Sequence, residues 1–435
     1  MATSESKKQW NGKLPDDFAD TGDDAFNITL SYPGKKTVNE ILETERPLVQ
    51  KLWQDIDAPR NHFYYGDNLK LLANLLDNPE IKGKVRLIYI DPPFSTNGIF
   101  KSRSRNDAYQ DLLKGAEFIE FLRQRLILLR ELLADDGSIY IHLDANMVFH
   151  IKVIMDELFG KKHFRSLITR RKCNPKNYTR NSYGNISDYL LFYTKSDQYI
   201  WNRPLEAWTS EKLDQEYQYI EKETGRRYKK VPVHAPGERK GATGKSWRGK
   251  MPPPGKHWQY TPDTLDEMDK RGEIYWSPTG NPRRKIYSDQ TKGIPIQDIW
   301  LDMRDAHNQN IKITGYPTEK PPAMLARIIQ ASSNPGDIVL DCFSGSGTTL
   351  VEASRLERPW LGMDNSLEAV MTMLKRFQGG LELMGDYVTP DTKKGVQLSL
   401  PFVHDPLIRD FALSTLEPYQ GDLDHILMSW HKLSI

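Results

Sequence analysis

The chain has 435 residues, enough to bury a large core in one large domain or in two to three smaller ones. Its formal net charge of +2 creates no global field that announces a nucleic-acid partner, so any such partner must be met by a local patch. Two cysteines, Cys173 and Cys342, give neither a disulfide framework nor a zinc spacing. No stretch approaches the roughly 20 apolar residues of a membrane span, and the N-terminus lacks a signal-peptide run. The expectation is a soluble, cytoplasmic protein without a bound metal.

Residues 1–60 read as an N-terminal arm, acidic and polar at the start and weakly helical over VNEILETERPLVQKLW. From Asn61 an α/β order sets in: HFYYGDN as a strand and turn, LKLLANLL as a helix, VRLIYI as a buried strand. EFIEFLRQRLILLRELLADDG is an amphipathic helix with Phe118, Leu122, Leu126, Leu129 and Leu133 on one face and Gly137 as a stop. SIYIHLD alternates as a strand, VFHIKVIMDELFG is a helix closed by Gly160, and FRSLITRRK and ISDYLLFYTKS read as two more strands. His142, within IHL, reads as a core residue.

Between about Trp201 and Ile299 the periodicity disappears and Gly, Pro, Lys, Arg and Trp become dense, the mark of an inserted, loop-rich domain whose tryptophans form a small core. The α/β pattern then resumes with a helix in PPAMLARIIQASS, the strand DIVLDCF, the loop SGSGTT, a helix, the strand WLGMDNS and a helix in EAVMTMLKRF. Near the end, LIRDFALSTL reads as a helix.

Two loops carry chemistry. Asp341 to Thr349, D-C-F-S-G-S-G-T-T, lies between a strand and a helix, where bare backbone can approach a ligand beside a helix N-terminus. Asp364 ends the next strand, the position from which an acid binds ribose hydroxyls. The loop has no third spaced glycine and no P-loop lysine, which favours an adenosine ligand without pyrophosphate, such as S-adenosylmethionine. Asp67, in GDN at another strand end, is a candidate third contact to an adenine amino group and equally an N-cap.

The second loop is YIDPPFSTNG. Two prolines end the strand and fix φ, holding Asp91 rigidly. An exocyclic amine on a nucleobase is a poor nucleophile because its lone pair is delocalised into the ring. Two acceptors on its hydrogens, the Asp91 carboxylate and the Pro92 carbonyl, would draw the nitrogen toward tetrahedral geometry, and Pro93 adds no competing donor. Phe94 offers a face on which an extruded base can stack. Neither cysteine is placed to attack a pyrimidine ring.

With GDNLKLL, LIYIDPPF, LLADDGSIYIHLD, SDYLLFYTKS, GYPTEKP, NPGDIVLDCFSGSGTT and WLGMDNS in that order, residues 63–365 resemble the DNA amino-methyltransferases whose catalytic motif precedes the cofactor motif. The chain looks most like type III modification subunits and their shorter site-specific adenine-methyltransferase relatives. The resemblance implies a doubly wound, mixed-sheet, Rossmann-like α/β fold with an inserted target recognition domain. It assigns catalysis to Asp91, Pro92, Pro93 and Phe94, and S-adenosylmethionine binding to Asp341, Phe343, Gly345, Gly347, Thr348 and Asp364. Thr318 and Lys320 would lie near the methionine carboxylate. Cys342 stands where the family usually has proline, and Phe94 where tyrosine is commoner. Aspartate at the head of the tetrad favours N6 of adenine over N4 of cytosine.

The expected division is an arm at 1–60, a catalytic half at 61–200, a recognition insert at 201–310, a cofactor half at 311–385 and an extension at 386–435. Lys161 to Arg180 carries eight basic residues and no acid, and a second basic run with aromatics spans Lys222 to Lys256. Arg170, Arg171, Lys172, Arg226, Arg227, Lys230, Arg248 and Lys250 are therefore candidate contacts to double-stranded DNA. The resemblance leaves room for a homodimer, a restriction subunit or a recognition subunit active only with partners. A nicotinamide oxidoreductase is disfavoured by the missing third glycine.

Overall fold

The computed structural model describes residues 28–54, 56–93, 99–101, 107–110, 115–175, 181–305, 311–316, 319–379, 382–384, 408–419, 421 and 423–434. They divide into a main unit and a smaller one, Arg203–Ile296.

The main unit is built on a ten-stranded sheet. In chain order its strands are β1 (Val49–Gln54), β2 (Asn61–Tyr65), β3 (Val85–Ile90), β4 (Leu133–Leu143), β5 (Phe164–Arg171), β6 (Ser187–Thr194), β7 (Ile299–Trp300), β8 (Ile338–Asp341), β9 (Trp360–Asp364) and β10 (Phe411–Leu416). They lie in the order β1-β10-β2-β9-β8-β3-β4-β6-β5-β7. The run from β10 to β4 is parallel, while β1, β6 and the β5–β6 pair are antiparallel. Buried on both faces, β3 and β8 are the apolar runs VRLIYI and IVLD.

Helices cover the sheet because alternate side chains of a strand leave from opposite faces. Ile88, Ile90, Ile139 and Ile141 join the core formed with α1 (Val38–Leu42), α2 (Asn68–Leu75), α3 (Ala116–Leu132) and α4 (Val148–Phe159). Tyr140, of the other parity, meets Ser332 of α5 (Pro322–Ser332) across a 2.8 Å hydroxyl contact. Next come α6 (Thr348–Arg355), which packs on α5, and α7 (Leu367–Phe377). This is a doubly wound mixed sheet.

Toward both chain ends the structure departs in part from the sequence expectation, for VNEIL is helical as read, but two other segments are strands. VQKLWQ is β1 rather than weak helix, and FALSTL is β10 rather than helix. β10 inserts between β1 and β2, antiparallel to one and parallel to the other, so both of its edges are hydrogen-bonded. The aromatic ring of Phe411 is fully buried against Trp53 (4.6 Å), Phe377 (5.2 Å) and Trp360 (6.2 Å). α3 also stops at Leu132, before Gly137.

In the small unit a four-stranded antiparallel sheet runs in the order Tyr219–Ile220, Arg227–Pro232, Pro282–Tyr287, Ile274–Trp276. Val233, Trp247, Trp258, Leu265, Met268 and Ile274 form its core. Its two ends are side by side: Leu205–Glu206 pairs antiparallel with Ile294–Pro295, and the Ile296 N–H donates to the Pro204 carbonyl at 3.1 Å. The unit is therefore shorter than the 201–310 insert read from composition, since Ile299–Trp300 pairs with β5 in the main sheet.

Candidate active site

Four carboxylates stand at the carboxyl ends of adjacent parallel strands: Asp67 after β2, Asp364 closing β9, Asp341 closing β8 and Asp91 after β3. A ligand crevice is expected at this edge of an open α/β sheet. Asp91, Asp341 and Asp364 line one cavity of about 270 Å³, together with Tyr89, Pro93, Phe121, Tyr316, Lys320, Phe343, Gly345 and Thr348.

The glycine loop is shaped by its own strand. Gly345 (φ 50°) and Gly347 (φ 75°) both adopt the left-handed region, and Gly347 caps α6. An added Cβ at Gly345 would reach Tyr316 Cε1 at 3.4 Å, and one at Gly347 would meet Met373 Cγ at 2.8 Å. Gly347 thus shapes the loop without lining the cavity. Asp364 holds the loop: its Oδ2 accepts from the Gly345 N–H at 2.8 Å and its Oδ1 from the Ser366 N–H at 2.9 Å. Burial raises the Asp364 pKa despite these donors. Asp341 is raised further, to about 7, first by burial and then by the charges of Asp91 and Asp364. Hydrogen bonds from Thr349 and the Phe343 N–H offset this only in part.

Lys320 forms a close ion pair with Asp91 Oδ2. The other oxygen, Oδ1, is buried with no hydrogen-bond partner among the described residues. Pro92 is buried, and Phe94 and Thr318 lie outside the described residues. Asp67 is placed differently from the cofactor contact expected of it. It is exposed, does not line the cavity, caps α2 through the Leu69 N–H at 3.0 Å and pairs with Arg125 at 3.0 Å.

The neighbour of Asp67, Asn68, does the structural work there. Its Nδ2 donates to the Cys342 carbonyl at 2.6 Å, and its Oδ1 accepts from Arg125 Nε at 2.6 Å. Arg125 is buried, stacks on the Phe121 ring at 3.6 Å, and is lowered to about 10 by that burial. The signal for it is present in sequence: Arg125 lies three residues after Leu122 and four before Leu129, inside the apolar stripe of α3. Glu319 and Arg376 are a second unforeseen pair, buried and in contact, with Arg376 Nη1 donating to Thr348 Oγ1 at 2.7 Å. Cys342 is buried and its thiol is pushed up by burial, so it is inert. Among the described residues no group of three or more His, Cys, Asp or Glu could hold a metal, and no helix is long and apolar enough to cross a membrane.

The cavity fits an adenosyl ligand with a cationic amino-acid tail. Phe121 and Phe343, 6.1 Å apart, supply flat apolar walls, the bare loop admits close approach, and the carboxyls of buried Asp341 and half-buried Asp364 line the cavity where a cation would sit.

Arg170 cannot contact DNA as expected. It is fully buried, pairing with Asp188 at 3.1 Å and Asp305 at 2.5 Å and donating to the Met303 carbonyl at 2.5 Å. A guanidinium that deep in a sheet is held by acids, which a local count of basic residues does not see. Arg171 and Lys172 remain half-buried. In the small unit Arg226 pairs with Asp289, Arg227 with Asp214, and Arg248 with Asp266 and Asp269. Lys230 lies over the Tyr219 and Tyr275 rings at 3.6 and 3.5 Å, and Lys250 is half-buried.

A family model described as DNA methylase, covering N6 and N4 amino-methyltransferases, matches residues 85–375. The type II methyltransferase M.EcaI of Enterobacter cloacae is 48% identical over 379 residues, 86% of this chain and 82% of that protein. The StyLTI Mod subunit, a type III restriction-modification enzyme of Salmonella typhimurium, is 28% identical over 328 residues, and the match spans about half of its length (49%) and 66% of this chain. Among solved structures, the M1.HpyAVI complex with S-adenosylmethionine aligns at a TM-score of 0.40 and 17% identity, over 72% of this chain and 97% of that one.

Proposed function

Given that the chain belongs to the DNA methylase family and takes its methyl group from S-adenosylmethionine, we propose that it methylates N6 of adenine at a specific DNA site, using Asp91 and Pro92 as the acceptors for the amino group. The observation that carries this reading is the Asp91 carboxylate, which lines the cofactor cavity with a buried Oδ1 that has no hydrogen-bond partner among the described residues. When bound, S-adenosylmethionine supplies an electrophilic methyl group on its sulfonium.

The protein's own part is positioning and exclusion of water. Asp91 Oδ1 accepts one amino hydrogen and the Pro92 carbonyl the other. The nitrogen lone pair is then released from delocalisation into the ring. Asp341 and Asp364 would hold the cationic tail and the ribose, and Lys320, beside Asp91, would be the cation for the tail's carboxylate. Phe94 takes the extruded base. The small unit carries 19 Lys and Arg against 13 Asp and Glu, a net +6 in a chain of net +2. That excess supports it as the DNA-reading module. Association with a restriction nuclease belongs to the same reading.

The test is transfer of labelled methyl groups from S-adenosylmethionine to unmethylated genomic DNA, with identification of the product nucleoside and with Asp91→Ala as control. N6-methyladenine from the parent alone is expected. N4-methylcytosine would overturn the substrate and keep the loop chemistry. Label in DNA from Asp91→Ala at the parent's rate would remove Asp91 from the reaction, and no label despite bound cofactor would point to an absent partner.

A further inference from the structure

A line of buried ionisable groups runs away from the cavity behind Asp91. Ile90 of β3 pairs with Ile141 of β4, which brings His142 beside Asp91. The His142 ring is fully buried. Its Nδ1 lies 3.0 Å from the Tyr89 hydroxyl and 3.9 Å from Asp91 Oδ1. Its Nε2 lies 3.0 Å from Asp188 Oδ2, and the same oxygen is 3.1 Å from Arg170 Nη1. Five ionisable side chains in a sheet interior are costly, and apolar residues of the same volume would pack there at no such cost. Their arrangement is specific to one end of the line, the carboxylate that faces the amine.

Asp188 can only accept. Burial alone would raise its pKa, but the Arg170 guanidinium at 3.1 Å helps to hold it ionised. In the neutral imidazole a ring proton on Nε2 would face Asp188 Oδ2, 3.0 Å away, and would leave Nδ1 to accept from the Tyr89 hydroxyl. The opposite tautomer would present an N–H at Nδ1, within reach of Asp91 Oδ1 after a small rotation. That N–H would occupy the oxygen the target amine needs.

We propose that His142 and Asp188 are positioning residues for methyl transfer, holding the imidazole in the tautomer that offers Asp91 no proton and so reserving Oδ1 for the amino group. The proposal rests on the reading of Asp91 as the acceptor. His142 touches neither substrate nor cofactor; it acts through Asp91. A carboxylate that sets the tautomer of a histidine is known to matter greatly when replaced by its amide.

The experiment uses the full chain. Asp188→Asn can donate to Nε2, which moves the ring proton to Nδ1. Single-turnover methyl transfer, read where the variant is still folded, should then fall about 100-fold with cofactor and DNA affinities near the parent's, while the melting midpoint falls because Asp188 also pairs with Arg170. Asp188→Glu, which keeps the charge, should recover most of the rate. Nitrogen-resolved NMR of labelled histidine in the parent should find His142 protonated at Nε2, and this readout needs no variant to fold. Protonation at Nδ1 in the parent, or an Asp188→Asn rate equal to the parent's while Asp91→Ala is inactive, would overturn the proposal. A loss confined to affinity or melting temperature would make the line merely structural, and so overturn it too. Should Asp91→Ala itself remain active, the reading of the acceptor fails first, and the two failures are distinguishable.

Discussion

Asp341 is a carboxyl group that folding takes out of water and places near two others of the same charge. An ordinary aspartate titrates near 4, whereas this one is raised to about 7. The folded chain therefore holds a proton that the unfolded chain has released, and the burial penalty grows as pH rises from about 4 to 7. Asp341→Asn should be more stable than the parent above pH 7, with the difference vanishing toward pH 4; melting curves across that range check it. Binding a cation beside Asp341 expels the proton. Affinity for S-adenosylmethionine should rise by up to about tenfold per pH unit below 7 and level off above it. Calorimetry in two buffers of different ionisation enthalpy would count the released proton, and Asp341→Asn should release none. At this scale the sequence is only partly legible. Aspartates at strand ends announce themselves by position, but Arg170 sits among arginines and lysines that look alike in sequence, and only the strand pairing that sets it against Asp188 distinguishes a core ion pair from a phosphate contact.

Among the elements, the two loops are legible because Pro-Pro and Gly-x-Gly impose backbone conformations before any packing is decided. Gly347 illustrates the dependence. A side chain there would adopt the left-handed region and also press on Met373 of α7 at 2.8 Å. Gly347→Ala should cost about 1–2 kcal/mol from the backbone alone, more if Met373 cannot move, and should loosen cofactor binding by shifting the start of α6. Denaturant unfolding and a cofactor titration measure the two effects. FALSTL was not legible for the opposite reason. Six residues of mixed propensity carry no period long enough to separate helix from strand. What decides is a gap in a ladder between β1 and β2, and those partners lie 350 residues or more earlier in the chain. Arg125 shows the intermediate case: a charged residue in an apolar stripe is visible, but its target, the Asn68 amide, is not.

At the scale of the molecule, the sheet brings Asp91 and Asp341 onto neighbouring strands although 250 residues separate them in the chain. Segments toward both ends of the described chain add strands at one edge of that sheet, where Phe411 joins Trp53, Trp360, Phe377 and Trp430. Phe411→Ala should cost about 3–5 kcal/mol, and chemical denaturation would show the loss across the main unit because β10 lies between β1 and β2. The small unit is attached otherwise. Chain enters and leaves it through one short ladder, Leu205–Glu206 against Ile294–Pro295, with the Ile296 and Pro204 backbones 3.1 Å apart. Excision at that ladder leaves two ends that a single peptide bond could nearly join. A lineage can then trade the whole unit as one contiguous stretch of gene, by recombination at two points, while strands, loops and carboxylates elsewhere are inherited unchanged.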